Sequence, residues 1–461
     1  MHRILIFLLL GLFCQKTFAQ SIPKEITEKV KNLFNDQKFS ELYNLFDENA
    51  KKAISEEKFQ QTAKELIEKM GKIQEIEYQE GKRYLLKCSL KNYVMFLDTN
   101  KENQVSLFFF KPQKSDKVLS NNPLKTDLDK KVDKYLGYIM QNEGTVGASV
   151  AVLKGSKTYF YHYGEVKKDS KILPNEKSIY EIGSISKTFT AILACIAEQE
   201  GKLRLDDEVS KFLPDTLPKL IFNQKPILIK HLLNHTSGLP RMPMNIFLQK
   251  SYEMDNPYRS YSTADLFFFL KNFKPFREPE KTFEYSNLAF GLMGVILERL
   301  YQKDYESLLI EKICKPLQMN YTHTRYVSKW QSLMMQGYNE KQEPTKNWDF
   351  EAMAAAGAIR SNITDMALYA QSLMKSAPTN LQKAFEKTFI TTFKNDEQEI
   401  GLSWFKKDSY LWHNGATGGY CSFLAFDRNS QTALVLLLNS NVNFFEQTLA
   451  ITLMQKLISE K

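Results

Sequence analysis

Two side chains three residues apart, Ser184 and Lys187, have the types and spacing of a nucleophile and its base. A helix has about 3.6 residues per turn, so positions i and i+3 share one face. Gly183 permits a tight turn before them, and an apolar stripe beginning at Phe189 predicts a buried helix. A serine hydroxyl becomes an effective nucleophile when a neutral lysine takes its proton. A serine and a lysine at this spacing can also be a helix N-cap and a solvated side chain. The catalytic interpretation therefore depends on finding further motifs of the same site.

The second motif is Tyr285-Ser286-Asn287, which is followed by an apolar helical stretch over residues 288–300. A phenol can move a proton when cationic neighbours lower its pKa, and an amide can hold a substrate carbonyl. The competing interpretation is an ordinary Ser/Asn helix cap beneath a packed tyrosine.

The third motif is a glycine-rich stretch over residues 413–420, HNGATGGY, which precedes the last predicted hairpin. Glycine lets a backbone run close to a ligand, and a strand edge can offer an N–H group to an oxyanion. Gly415 and Ala416 are the residues we expect at that edge. A glycine-rich strand turn without chemistry is the alternative.

Residues 20–111 predict a small α+β domain. Apolar side chains recur at helical spacing in three stretches, the third of which stops at Gly71. The period then shortens, and strands are predicted over residues 73–78, 84–90, 93–97 and 105–110. This element order resembles the helix-then-curved-sheet domains of the cystatin-like or steroid-isomerase-like group, including an uncharacterised type found ahead of secreted hydrolases. No catalytic constellation is evident in it.

A polar segment over residues 112–125 is predicted to be a linker, and residues 126–461 a second domain. After an initial helix comes a hairpin over residues 147–153 and 159–163. A second hairpin, over residues 422–426 and 433–439, precedes a closing helix at 444–458. Strands at both ends, with helices between them, predict an α+β fold with one central antiparallel sheet flanked by helices.

In this order, the three motifs resemble the serine β-lactamase and penicillin-binding-protein family, most of all its class C and related esterase branch. Three further stretches agree with that resemblance: 201–207 (GKLRLDD), 231–240 (HLLNHTSGLP) and 355–361 (AAGAIRS). The resemblance covers residues from about 123 to 461. It implies the β-lactamase/transpeptidase-like fold, in which a mainly helical subdomain accompanies the sheet.

The resemblance also implies roles for the motif residues. Ser184 would be the acylated nucleophile and Lys187 its proton acceptor. Tyr285 would assist proton transfer to the leaving group and later activate the deacylating water. Asn287 would orient the substrate amide, and the N–H groups of Ser184 and Ala416 would form the oxyanion hole. Two histidines of the 231–240 stretch, His231 and His235, are expected to satisfy backbone groups instead of doing chemistry.

Two departures from the family pattern concern substrate binding. His413 and Asn414 stand where relatives often have Lys and then Thr or Ser, and Pro279 is followed by Glu280 where they often have Pro-Gly. The ordinary pKa of histidine is about 6.5, so we expect the charge of His413 to depend on pH near neutrality. The histidine puts β-lactam hydrolysis in doubt more than acyl transfer.

The ends and composition of the chain bear on location and partners. Residues 1–19 have a basic start, an apolar stretch too short to span a bilayer and a cleavage pattern ending at Ala19, as in a secretory signal peptide. Lipidation at Cys14 is disfavoured because the large Phe13 precedes it. The net charge of +9 is spread without a Lys/Arg block, which argues against a nucleic-acid partner. The remaining cysteines have no zinc-site spacing, so neither a metal nor a cofactor is expected.

These observations predict a secreted or periplasmic serine hydrolase that forms an acyl-enzyme. Its expected substrates are D-amino-acid peptides of the cell wall, with peptidoglycan as a partner, or small esters and amides. Weak or no β-lactamase activity is expected. The alternative is a penicillin-binding or sensor protein of the same fold with little turnover. The natural substrate, the role of the first domain, the oligomeric state and any pairing of the cysteines stay open.

Overall fold

The computed structural model describes residues 22, 24–78, 82–112, 118–141, 145–376, 378–442 and 444–459. The predicted signal peptide and Cys14 lie outside these residues. Contacts divide the chain into two compact units: Met1–Asp116 with Gln141–Glu143, and Lys117–Met140 with Gly144–Lys461. No helix within the described ranges has the length and apolar character needed to cross a membrane.

The first unit has four helices followed by four strands: α1 (Lys24–Asn35), α2 (Phe39–Asn44), α3 (Glu48–Ala53), α4 (Glu56–Met70), β1 (Ile73–Tyr78), β2 (Arg83–Cys88), β3 (Tyr93–Thr99) and β4 (Val105–Pro112). The strands form one antiparallel sheet in chain order. Helix α4 begins after Ser55, whose hydroxyl accepts the Lys58 N–H, and ends at Gly71, which has a positive φ of 74°. Helix α3 was not predicted; it is short, and Asp47 caps it by accepting the Ala50 N–H.

The helices of the second unit are α5 (Asp127–Gln141), α6 (Ser186–Gln199), α7 (Ile229–Leu233), α8 (Thr263–Asn272), α9 (Asn287–Tyr301), α10 (Tyr305–Leu309), α11 (Ala354–Gly357), α12 (Ile363–Met374), α13 (Asn380–Phe389) and α14 (Phe444–Ser459). Its strands are β5 (Gly147–Lys154), β6 (Lys157–Gly164), β7 (Ile179–Glu181), β8 (Ile221–Phe222), β9 (Lys225–Pro226), β10 (Arg360–Asn362), β11 (Phe393–Lys394), β12 (Glu399–Ile400), β13 (Phe405–Lys407), β14 (Tyr410–Ala416), β15 (Cys421–Asp427) and β16 (Thr432–Leu438).

The main sheet of the second unit has eight antiparallel strands in the order β11-β12-β13-β14-β15-β16-β5-β6. Side chains alternate between its two faces, as they must in a strand. Val150 and Val152 of β5 pack with buried residues of α5 and α14, whereas Ala151 and Leu153 pack with those of α6. The sheet therefore lies between two helical layers, and the two ends of this unit complete it. The predicted α+β fold class is confirmed.

Residues 118–125, which fall in the predicted linker, make contacts within the second unit. The Asn121 N–H donates to the His162 carbonyl at 3.2 Å, and the Asn122 side chain donates to the Tyr163 hydroxyl at 2.7 Å. This segment therefore packs along β6. Cys88, Cys195 and Cys314 form no disulfide in the described part of the chain, and Cys195 is buried on α6.

Candidate active site

Ser184 lies in a single 3₁₀ turn, Gly183–Ile185, that leads directly into α6. Gly183 has a positive φ of 50°, and a Cβ there would lie 2.7 Å from the Ala416 nitrogen. Glycine is therefore required by both the turn and the close approach of β14. The sequence placed Ser184 at the start of the helix. In the structure it lies in the 3₁₀ turn just before α6, and its half-buried side chain is beside that of Lys187.

The Lys187 side chain is completely buried, and its amine is held by two contacts. Nζ lies 2.9 Å from Ser184 Oγ and donates to the Ala356 carbonyl at 2.6 Å. Burial holds the pKa of Lys187 well below its usual range, and the positive charge of Arg241 acts in the same direction. A neutral amine in this position can accept the serine proton.

Ser186, the second serine of the motif, has a different environment. It is buried, and its hydroxyl accepts the Ile359 N–H at 3.1 Å. Its side chain therefore satisfies a backbone group across the unit, and Ser184 is the serine that faces Lys187.

Tyr285 is half-buried and lies between the Lys187 amine and the Arg241 guanidinium. Lys187 Nζ is 4.9 Å from the centroid of its ring, and Arg241 Cζ is 5.1 Å from it. Burial raises the pKa of Tyr285, whereas Ser184 and Arg241 act to lower it. From the sequence, cationic neighbours were the groups expected to lower this pKa. Desolvation outweighs them, so the phenol is protonated at neutral pH.

His235 packs against Tyr285, with ring centroids 4.2 Å apart. Its Nδ1 accepts the Ser286 N–H at 3.0 Å, and Nδ1 of His231 accepts the Leu228 N–H at 3.1 Å. Both histidines thus satisfy backbone groups, which confirms that prediction. Burial lowers both pKa values, that of His231 to about 4. The support that His235 gives to the ring of Tyr285 was not predicted.

Asn287 is the first residue of α9 and keeps one hydrogen-bonding atom open. Its Nδ2 donates to the Tyr258 hydroxyl at 3.0 Å. Its Oδ1 is buried and has no partner among the residues that the structure describes. An acceptor left open beside Tyr285 is suited to an N–H group of a substrate. Tyr258 was missed because 29 residues separate it from Asn287 and no motif marks it.

The first four residues of the third motif, 413–416, are the last residues of β14, beyond the point where β13 stops pairing with it. Pairing with β13 reaches Trp412, whereas pairing with β15 continues to Ala416. A Cβ on Gly415 would lie 2.0 Å from the Ile182 carbonyl oxygen and 2.9 Å from the Ser184 nitrogen. The backbone around Ser184 therefore runs close to the end of β14, which is the proximity that the predicted oxyanion hole needs.

His413 points into the interior from the same strand. Its Nδ1 lies 2.6 Å from the Asn414 carbonyl oxygen, and its ring centroid is 6.4 Å from that of Tyr285. Burial, assisted by the charge of Lys187, lowers the pKa of His413 to about 3. The expectation that its charge varies near neutral pH is therefore wrong: His413 is neutral throughout that range.

Arg241 is the other residue that the sequence analysis missed. It directly follows residues 231–240, which resemble the family, and this position in the sequence could have indicated that it lies near the site. Its carbonyl accepts the N–H of Asn287 at 3.0 Å, which ties this loop to the start of α9.

Comparison with known proteins identifies relatives for most of the chain. The family model described as Beta-lactamase matches residues 128–457, and one for a protein of unknown function, DUF3887, matches residues 27–88. A beta-lactamase from Pseudomonas fluorescens is 28% identical over 68% of this chain and 94% of its own length. Protein flp from Staphylococcus aureus (strain MW2) is 26% identical over 70% of this chain and 65% of its own.

Solved structures agree with this relationship. A beta-lactamase/D-alanine carboxypeptidase from Pseudomonas syringae has a TM-score of 0.63 and 24% identity, and the match covers 72% of this chain and 99% of that one. A class C beta-lactamase has a TM-score of 0.64 and 25% identity, with 74% and 98% covered. The predicted enzyme class, a serine hydrolase, is confirmed, and the chain belongs to the beta-lactamase family.

Proposed function

We propose that this chain is a secreted serine hydrolase that forms an acyl-enzyme on Ser184. The observation that carries the proposal is the 2.9 Å contact between Lys187 Nζ and Ser184 Oγ at a fully buried lysine. Burial lowers the pKa of this amine, which favours the neutral form that can accept the serine proton. The predicted signal peptide over residues 1–19 is the ground for a secreted location.

In the acylation step, Ser184 Oγ attacks the substrate carbonyl carbon while its proton passes to Nζ of Lys187. The N–H groups of Ser184 and Ala416 receive the charge that develops on the carbonyl oxygen; one such donor contributes roughly 3 kcal/mol. Tyr285, protonated at neutral pH, donates its proton to the leaving group and is reprotonated by Lys187. The bond to the leaving group breaks, and an ester on Ser184 remains.

In the deacylation step, water attacks the carbonyl carbon of that ester. Its proton reaches Lys187 directly or through Tyr285, and Lys187 returns a proton to Ser184 Oγ as the ester bond breaks. The acid product leaves, and the site is restored with Lys187 neutral.

We infer that the substrates are D-amino-acid peptides of the cell wall or small esters and amides, as the family resemblance implies. The open Oδ1 of Asn287 supports a substrate with an amide N–H near the scissile carbonyl. The carboxylate of a penicillin lies on the amine side of its scissile bond. Because His413 is buried and neutral where relatives often have a lysine, weak or no β-lactam hydrolysis is expected.

Mass spectrometry of the intact protein tests this proposal. The protein is incubated with a fluorophosphonate, a p-nitrophenyl ester and a penicillin in turn. We expect one equivalent of fluorophosphonate adduct on Ser184 and none on Ser184→Ala. A folded protein that forms no adduct with any of the three, or an adduct that maps to Ser186, contradicts the proposal.

The second candidate is a penicillin-binding or sensor protein with little turnover. The raised pKa of Tyr285 supports it, because a protonated phenol is a poor base for the deacylating water. The same experiment separates the two candidates. A penicillin or ester adduct that persists for hours favours the sensor, whereas an adduct that decays with release of many equivalents of product favours the hydrolase.

A further inference from the structure

Arg241 lies at the solvent side of the candidate active site, beside Asn287. Its side chain is exposed, and its Cζ is 5.1 Å from the centroid of the Tyr285 ring. Its carbonyl accepts the backbone N–H groups of Asn287 at 3.0 Å and Leu288 at 3.3 Å. The backbone of Arg241 is therefore held beside Asn287, the residue that the family resemblance assigns to the substrate amide, and its guanidinium extends from that side of the site.

The charge of Arg241 is not neutralised by the protein. Within the described ranges no carboxylate forms a salt bridge with it. Other arginines of this unit are paired, for example with the carboxylates of Glu253, Glu284, Asp349 and Glu386. A guanidinium stacked on an aromatic ring keeps its N–H groups directed outward in the ring plane, in the fork that matches a carboxylate.

The other basic groups of the site are buried, and burial disfavours their charged forms. Lys187 is buried with a lowered pKa, and His413 and His235 are buried and neutral. Arg241 lies over the ring of Tyr285, and its positive charge lowers the pKa values of Lys187, His235 and Tyr285. Arg241 is thus the fixed positive charge at this site.

We propose that Arg241 binds a carboxylate carried by the acyl part of the substrate, so that acyl groups with a terminal carboxylate are preferred over neutral ones of the same length. This inference rests on the proposed function, and it specifies the substrate class of the same site. It differs from recognition of a penicillin carboxylate, which lies on the amine side of the scissile bond.

Two p-nitrophenyl esters that share a leaving group test this preference. One carries pentanoate, and the other carries glutarate, which has the same number of carbons, with its second carboxyl free. The measured quantity is the ratio of kcat/KM for the glutarate ester to that for the pentanoate ester, because a general loss of activity cancels in this ratio. We expect Arg241→Gln to lower this ratio about tenfold or more, a reduction that corresponds to loss of a charge-assisted hydrogen bond.

Three controls sharpen the measurement. Arg325→Gln removes the same charge from an exposed arginine and should leave the ratio unchanged. Arg241→Lys should keep part of the preference, because it keeps the charge but not the fork. In the wild type the ratio should fall as salt is added, and this dependence should disappear in Arg241→Gln. A ratio that is equal in wild type and Arg241→Gln overturns the inference.

Direct binding separates this inference from the proposed function. Glutarate is titrated into Ser184→Ala and into the double variant Ser184→Ala/Arg241→Gln, which requires no turnover. We expect binding about tenfold weaker in the double variant, and equal binding overturns the inference. If both esters resist hydrolysis and Ser184 takes no label while glutarate still binds through Arg241, the proposed function fails and the anion site stands.

Discussion

Buried polar side chains differ in their hydrogen bonding between the first unit, up to residue 116, and the surroundings of Ser184 in the second. In the first, Thr27 donates to the Lys24 carbonyl and Asp47 accepts the Ala50 N–H. No buried side-chain nitrogen or oxygen atom described there lacks a hydrogen-bond partner. In the second, Asn287 Oδ1 and the Nε2 atoms of His235 and His413 are buried without one, again counting the described residues alone.

This difference concerns how far each unit satisfies its buried polar groups. Leaving a buried polar atom unpaired costs about 1–3 kcal/mol, so such atoms persist where something other than stability requires them. In the described part of the first unit, the buried polar side-chain atoms all have hydrogen-bond partners, as stability requires. The second unit leaves polar atoms of its described residues unpaired at several places, Trp404 Nε1 and Tyr410 Oη among them, and three such atoms lie with a buried amine near Ser184. The predictions below test this contrast, beginning with the largest expected effect.

Two serines two residues apart should respond in opposite ways. Ser184→Ala should reduce ester hydrolysis by a factor of about 10³ or more, because it removes the nucleophile, with little change in stability. Ser186→Ala should retain labelling but lower the free energy of unfolding by about 1–3 kcal/mol, because the buried Ile359 N–H loses its acceptor. Kinetics and urea unfolding of both variants provide the measurement. Equal losses of activity would show that the two hydroxyls do not have separate roles.

Lys187→Met should slow acylation by about 10²–10⁴-fold, the usual contribution of a general base. In the wild type, kcat/KM should be level near neutral pH and fall at acid pH, where Lys187 becomes protonated and cannot accept the serine proton.

The same lysine should also make stability depend on pH. Its pKa is lower in the folded than in the unfolded protein, so between the two values the unfolded chain binds more protons and stability rises with pH. Relative to Lys187→Met, the wild-type free energy of unfolding should therefore rise by up to about 1.4 kcal/mol per pH unit in that window. Parallel curves for the two proteins from pH 7 to 9 would mean that Lys187 has an ordinary pKa.

Acid should destabilise the second unit before the first. All six histidines lie outside residues 20–116, and the pKa values of His231 and His413 fall to about 4 and about 3. Their contribution to stability is present above pH 6.5 and is lost as pH falls, because the unfolded chain takes up the protons first. His231→Gln should reduce the loss of unfolding free energy between pH 7.5 and 4.5 by about 1–3 kcal/mol. An unchanged loss would assign the acid sensitivity to other groups.

The smallest effect is expected from removing the first unit. A chain that begins at Lys117 should keep ester hydrolysis within about tenfold of full length, a difference of about 1.4 kcal/mol in the barrier. A matched chain that begins at Pro123 lacks the bonds that Asn121 and Asn122 make along β6, and it should have a lower Tm. A folded but inactive chain from Lys117 would show that the first unit contributes to the site.

The sequence by itself determined the features that depend on local rules. The spacing of Ser184 and Lys187 follows the helix period, so their proximity could be read directly. The glycines at 183 and 415 mark a tight turn and a close backbone approach, because no other residue lacks a Cβ. The alternating strands near both ends of the second domain predicted its antiparallel sheet, which was confirmed. Helix α3 was not predicted because its six residues are too few to show a helical period in the sequence.

Tertiary structure alone decided which groups surround the nucleophile and how they ionise. Tyr258 reaches Asn287, and Arg241 reaches the ring of Tyr285, through packing between segments that share no motif. The pKa values of Lys187, Tyr285 and His413 depend on how completely other elements exclude water from them. Desolvation is a property of the assembled surroundings, which is why the charge of His413 was misjudged from its residue type.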